Sequence, residues 1–181
     1  MKHSALNFRK MQPSELMFFL TEKHYPAVQH LIERVNIHVS SAVKVNADIY
    51  PALYAVEKEY NKLVVLVQNQ IRKNTRILFP FIENILEEKI NSADVLSAFE
   101  FELNDIHTKH MQMRTFLADL SILSHGFKAE SQASEGMKVT LSELHTLEQH
   151  LYRQFYLEDI LLMPKVARAS RRSAKGEKIS P

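Results

Sequence analysis

From Tyr50 to Ile90 the chain carries one helical stripe that limits what it can become. Leu53, Val56, Tyr60, Leu63, Val67, Gln70, Asn74, Ile77 and Phe81 recur at alternating spacings of three and four. Residues so spaced share one face of a helix, and the repeat is that of a helix packed in a bundle. Seven of the nine are large and apolar, and the two exceptions, Gln70 and Asn74, lie one turn apart. Amides at (i, i+4) in mid-core are costly unless each polar group finds a partner.

Three further stripes repeat the pattern. Gln12, Pro13 and Ser14 introduce a first helix bearing Leu16, Met17, Phe18, Phe19 and Leu20, and its face continues through Val28, Ile32, Val35, Val39 and Ala42 to about Val45. Pro26 predicts a kink near His24 and Tyr25, and Pro80 predicts another in the second helix, which should end near Ile90. Asn91, Ser92 and Asp94 are candidate caps for a third helix, whose seam is Phe99, Leu103, Ile106, His110, Met113, Leu117 and Leu120. After a polar loop from Ser124 to Gly136, a fourth helix carries Leu144, Leu147, Leu151, Gln154, Glu158 and Leu161. Short connections between four amphipathic helices predict an all-α, up-down-up-down antiparallel four-helix bundle. The expected division is an N-terminal extension over 1–12, the bundle over 13–168 and a basic, disordered tail over 169–181.

Composition narrows the function classes. With no cysteine, the chain has no disulfide, thiolate metal site or cysteine nucleophile. It shows no signal-peptide core and no transmembrane-length apolar run, so the expected location is cytoplasmic. From Lys165 onward six basic residues face Glu177 alone, a net +5 that leaves the rest at −3 within a total of +2. Such a tail suits a solvated end, or contact with nucleic acid or an anionic membrane. No nucleophile–base arrangement, phosphate-binding glycine loop or helical His-Glu-x-x-His motif is present. Met111 and Met113, with Phe116 nearby, read as core packing. Most histidines outside the seams read as surface residues, although His150, one turn before Gln154, could join a shifted site.

The runs QIRKNTRILFP (Gln70–Pro80) and QFYLEDILLMP (Gln154–Pro164) each place a polar (i, i+4) pair before an apolar-Pro end. They resemble the paired His-x-x-x-Glu…Leu-Phe-Pro signatures of hemerythrin-like HHE domains, and most of all the Repair of Iron Centers family. KHMQMRTFL (Lys109–Leu117) is similar to that family's third-helix motif, and the likeness spans roughly Leu20 to Val166. The resemblance implies a di-iron bundle connected with nitrosative and oxidative stress. Its ligand positions are largely altered here. Gln70, Asn74 and Gln154 stand where His, Glu and His are implied, while His110 and Glu158 match the implied ligands. The first-helix histidine falls on Tyr25 without a gap and on His24 after a one-residue shift.

Amides are weak, uncharged ligands for iron, which prefers imidazole and carboxylate here. The expectation is therefore a hemerythrin-like protein with a dismantled site: not an enzyme, without a cofactor, and regulatory or interacting in role. Gln70, Asn74 and Gln154 then form an amide network in the former site, with His110 and Glu158 paired beside them. The alternative is iron or another divalent metal held through His24 or Tyr25, His110 and Glu158. The partners implied are an unidentified protein or a second copy of the chain, besides the tail's polyanion.

Overall fold

The structure, a computed structural model, describes residues 7–87 and 93–174. Among these residues every regular element is helical, and the helices line up as four rods in chain order. The first rod is α1 (Pro13–Phe19), a π-helical segment (Leu20–His24) and α2 (Tyr25–Asn46). The second is α3 (Ala52–Lys73), a π segment (Asn74–Leu78) and α4 (Phe79–Leu86). The third is α5 (Ala93–Leu123), and the fourth is α6 (Glu135–Phe155), a π segment (Tyr156–Leu162) and α7 (Met163–Ala174). Helix α2 packs on α3 and α6, α3 on α5, and α4 on α7. The four seams meet in one core that includes Val28, Val35, Leu63, Val67, Met113, Leu117, Leu147 and Leu151. Each such side chain contributes about 1.5–3 kcal/mol on burial.

The prolines explain the π segments. A proline inside a helix lacks the N–H for the i−4 bond, and its ring collides with that carbonyl. Pro26, Pro80 and Pro164 each follow a widened turn closed by a backbone bond five residues long. Tyr25 N–H reaches the Leu20 carbonyl, Phe79 N–H that of Asn74, and Met163 N–H that of Glu158. A wide turn inserts one extra residue into the ladder, so the chain passes the proline without stopping.

That insertion corrects the expected seam of the second rod. Ile77 is 60% exposed and Phe81 only partly buried, whereas Leu78, Ile82 and Ile85 fill the core. Phe18, expected among the apolar residues of the first helix face, is likewise exposed, and so is Met111, while Met113 is core.

Residues 7–12 of the extension are fastened to the bundle: Phe8 packs at a 60° tilt against Phe19 with ring centroids 4.8 Å apart, and Arg9 Nε donates to Tyr156 Oη at 3.2 Å. Lys165 Nζ also donates to the Arg9 and Met11 carbonyls. The last helix continues past 168 to Ala174, with Val166 and Ser170 buried. Residues 175–181 of the tail, the expected helix end at Ile90 and the candidate caps Asn91 and Ser92 lie outside the described residues.

The loop expected over Ser124 to Gly136 is shorter in fact, since Ser134 caps α6 by accepting the Met137 N–H at 3.3 Å. At its start His125, Gly126 and Phe127 take φ of 52°, 73° and 58°. Two of these are side chains in a region that favours glycine. Ser124 Oγ braces the turn, accepting the Phe127 N–H at 3.1 Å and donating to the Leu120 carbonyl at 2.6 Å.

Candidate functional site

The polar residues of the seams meet where the π segments lie side by side. Asn74 and Glu158 each open or lie within a widened turn, and Tyr25 closes the one on the first rod. Tyr25, Gln70, Asn74, His110, Gln154 and Glu158 are all buried. The structure joins Gln70, Asn74, His110 and Glu158 to Tyr25 through direct contacts, while Gln154 is buried one turn before Glu158.

Glu158 is the hub. Tyr25 Oη donates to its Oε1 at 2.9 Å, and Asn74 Nδ2 donates to its Oε2 at 2.9 Å. The second Asn74 N–H goes to Tyr25 Oη at 2.9 Å, so the three side chains close a ring of hydrogen bonds. Gln70 Nε2 extends the chain by donating to Asn74 Oδ1 at 2.7 Å. His110 approaches from the third rod with Nε2 3.3 Å from Glu158 Oε2. That contact is poorly aligned for a hydrogen bond, and its attraction is chiefly electrostatic.

Between His24 and Tyr25 the structure separates the roles. Tyr25 enters the cluster and stacks on Phe79, with ring centroids 6.1 Å apart and 13° between planes. His24 is equally buried but turns to His150, 5.9 Å away and nearly parallel, and to Phe19. Among the described residues neither His24 Nε2 nor His150 Nδ1 has a hydrogen-bond partner. The two histidines therefore form a separate pair beside Arg153, whose guanidinium covers Phe8 and Phe19.

One participant was missed in the sequence. Asp159 Oδ1 lies 2.7 Å from His110 Nδ1, the shortest contact to that ring, and Arg114 stands 3.9 Å behind its other oxygen. Two consecutive residues, Glu158 and Asp159, thus address one imidazole. An ordinary helix would turn them about 100° apart. The widened turn rotates less per residue and lets both face the third rod. The only signal in the sequence was the proline six residues after Glu158.

Electrostatics follow from this placement. Burial pulls the His110 pKa down, but the Asp159 hydrogen bond and the Glu158 carboxylate outweigh it and raise it to about 9. His110 is therefore an imidazolium at neutral pH, held between two carboxylates. Burial and the Glu158 charge push the Tyr25 phenol well above its ordinary value, so it remains a donor. Burial, with the charges of His150 and Arg153, lowers His24 to about 4, and burial with Arg153 lowers His150 as well. The histidine pair is neutral where His110 is charged.

This donor set does not fit a di-iron centre. Three of its positions are amides, the phenol keeps its proton, and His110 carries a proton where a ligand needs a lone pair. Both oxygens of Glu158 already accept hydrogen bonds. Among the described residues no three His, Cys, Asp or Glu side chains are arranged to hold a metal ion. Also among them, no helix is long and apolar enough to cross a membrane. The sequence matches no protein-family model and no curated protein.

Proposed function

We propose that the chain is a hemerythrin-like bundle of up-down-up-down topology in which a hydrogen-bonded polar cluster stands where the family holds two irons. Its role in this reading is non-catalytic, as a regulatory or interaction protein connected with iron or nitrosative stress. The topology is supported by contacts at both ends of the rods. Tyr50 meets Glu130 near the starts of rods two and four, and Asn74 meets Glu158 near their ends, so those two run the same way. Tyr25 against Asn74 and Tyr60 against Ile32 run rod one opposite to rod two.

The observation that carries the functional reading is that the two matching ligands are engaged with each other. To bind metal at pH 7, His110 must release a proton held with a pKa of about 9. That alone weakens metal binding roughly 100-fold, or about 3 kcal/mol. Glu158 must also give up its bonds from Tyr25 and Asn74.

The test is iron loading of the natural protein against the variant Gln70→His, Asn74→Glu, Gln154→His. The variant restores most of the implied ligands around His110 and Glu158. It should gain iron, and with it a melting temperature that rises with metal concentration, while the natural protein takes up little. Near-stoichiometric iron on the natural protein sinks the proposal.

A second reading, one divalent ion held by Tyr25, His110 and Glu158, is favoured by the direct contact of these three side chains. It requires metal uptake that increases from pH 7 to pH 9 as His110 loses its proton, and uptake independent of pH counts against it. As an interaction protein, the chain would meet an unidentified protein or a second copy of itself. The exposed Arg168 and Arg171 of α7 add a surface for nucleic acid or an anionic membrane. Binding to either should weaken steeply with salt, and salt-independent binding counts against that surface.

A further inference from the structure

We propose that the core holds one tightly bound water, in a site built by Gln70, Gln154 and His110. The proposal deepens the reading above and rests on its view that the cluster stands in place of a metal centre.

Gln154 is 0% exposed, and neither its Nε2 nor its Oε1 meets a hydrogen-bond partner among the described residues. Gln70 uses its Nε2 on Asn74, but its Oε1 is equally unpartnered and buried. His110 Nε2 is near Glu158 without a proper bond. Buried polar atoms are satisfied in nearly all folded proteins, so three such side chains in one core call for a partner.

The three reach the same level of the core. Asn74 and Glu158 touch directly, and Gln70 and Gln154 each precede them by one turn on rods that run the same way. His110 contacts Glu158 and packs its ring on Phe155, the residue after Gln154, with centroids 4.7 Å apart. Rods two, three and four therefore each direct one unsatisfied side chain to the same region.

The inventory of these atoms selects the occupant. Two carbonyl oxygens, on Gln70 and Gln154, need donors, the two N–H groups of the Gln154 amide need acceptors, and His110 Nε2 lacks a bond of its own. Exchanging the Gln154 oxygen and nitrogen leaves that inventory unchanged. A cation would serve the carbonyls but leave the Gln154 N–H groups unmet. An anion would serve the N–H groups but face two carbonyls and the Glu158 carboxylate. Water offers two donors and two acceptors, and buried waters make about three hydrogen bonds each.

The experiment compares the natural protein with Gln154→Met by oxygen-17 relaxation dispersion, which counts long-lived internal waters. It adds water-to-amide cross-relaxation at the Gln154 side chain. The natural protein should show a cross-peak between water and the Gln154 amide, and the variant should lose one long-lived water. The variant should also melt at a lower temperature, because Gln70 and His110 lose their bridge. Unchanged relaxation with a raised melting temperature would mean a dry core and overturn the proposal. So would a melting temperature that climbs with sodium or potassium chloride in the natural protein but not in the variant, since that signals an ion. If the variant does not fold, the cross-peak in the natural protein decides by itself, and its absence overturns the proposal. Iron uptake by a protein that shows the cross-peak would sink the metal-free reading and leave the water site standing.

Discussion

Raising the pH should loosen this protein through one side chain. His110 is fully buried, with Asp159 2.7 Å from Nδ1 and Glu158 3.3 Å from Nε2. Burial by itself would favour the neutral ring, but the two carboxylates prevail and lift the pKa to about 9 from an ordinary 6.5. The native state therefore holds this proton more tightly than the unfolded chain does. The resulting stability is fully present below about pH 6.5 and is lost as the pH rises through about 9. At 1.36 kcal/mol per pH unit, the full effect is about 3 kcal/mol. Out of a typical stability of roughly 5–15 kcal/mol, that is a large share. For a chain of this size it corresponds to a melting temperature lower by about 6–12 °C.

His24 shapes the other limb with the opposite sign. Its pKa is lowered to about 4, mainly by burial, so the folded state resists the proton that the unfolded chain accepts. Its contribution is present above about pH 6.5 and is lost as the pH falls through about 4. Urea unfolding at intervals from pH 4 to 10 should give a dome with its maximum near 6.5. Imidazole NMR should show His110 titrating far above His24. Replacing Asp159 by Asn should bring the His110 titration down and flatten the alkaline limb. A stability that stays level from pH 6.5 to 9, or a His110 ring that titrates below 6.5, would refute the electrostatic account.

Tyr25→Phe keeps the stack on Phe79 but removes the hydroxyl that links Asn74 to Glu158, and should cost about 2–4 kcal/mol in denaturant unfolding. A loss under about 0.5 kcal/mol would mean the ring of hydrogen bonds carries little. The widened turn of the second rod is tested by two adjacent truncations. Leu78→Ala should cost about 2–5 kcal/mol, and Ile77→Ala should stay within about 0.5 kcal/mol. The reverse order would restore the ordinary helical seam.

The sequence by itself determined four helical rods and most of their inward faces. Helical spacing is a local property, and an apolar face at threes and fours has one use in a chain with so few glycines. The same spacing turned Gln70, Asn74, His110, Gln154 and Glu158 inward, because each continues an apolar row. What only the tertiary structure decided begins at the prolines. A helix can meet a proline by kinking, stopping or widening, and packing against the neighbouring rods selects among them. Widening moved the core from Ile77 and Phe81 to Leu78 and Ile82 and brought Asp159 beside His110. It also buried both His24 and Tyr25, adjacent residues whose roles no periodicity could divide. Tyr25 became the cluster's donor because Asn74 and Glu158 stand across from it, and His24 turned away because His150 does. Those neighbours lie 49 and more residues away in the chain, beyond the reach of any local pattern.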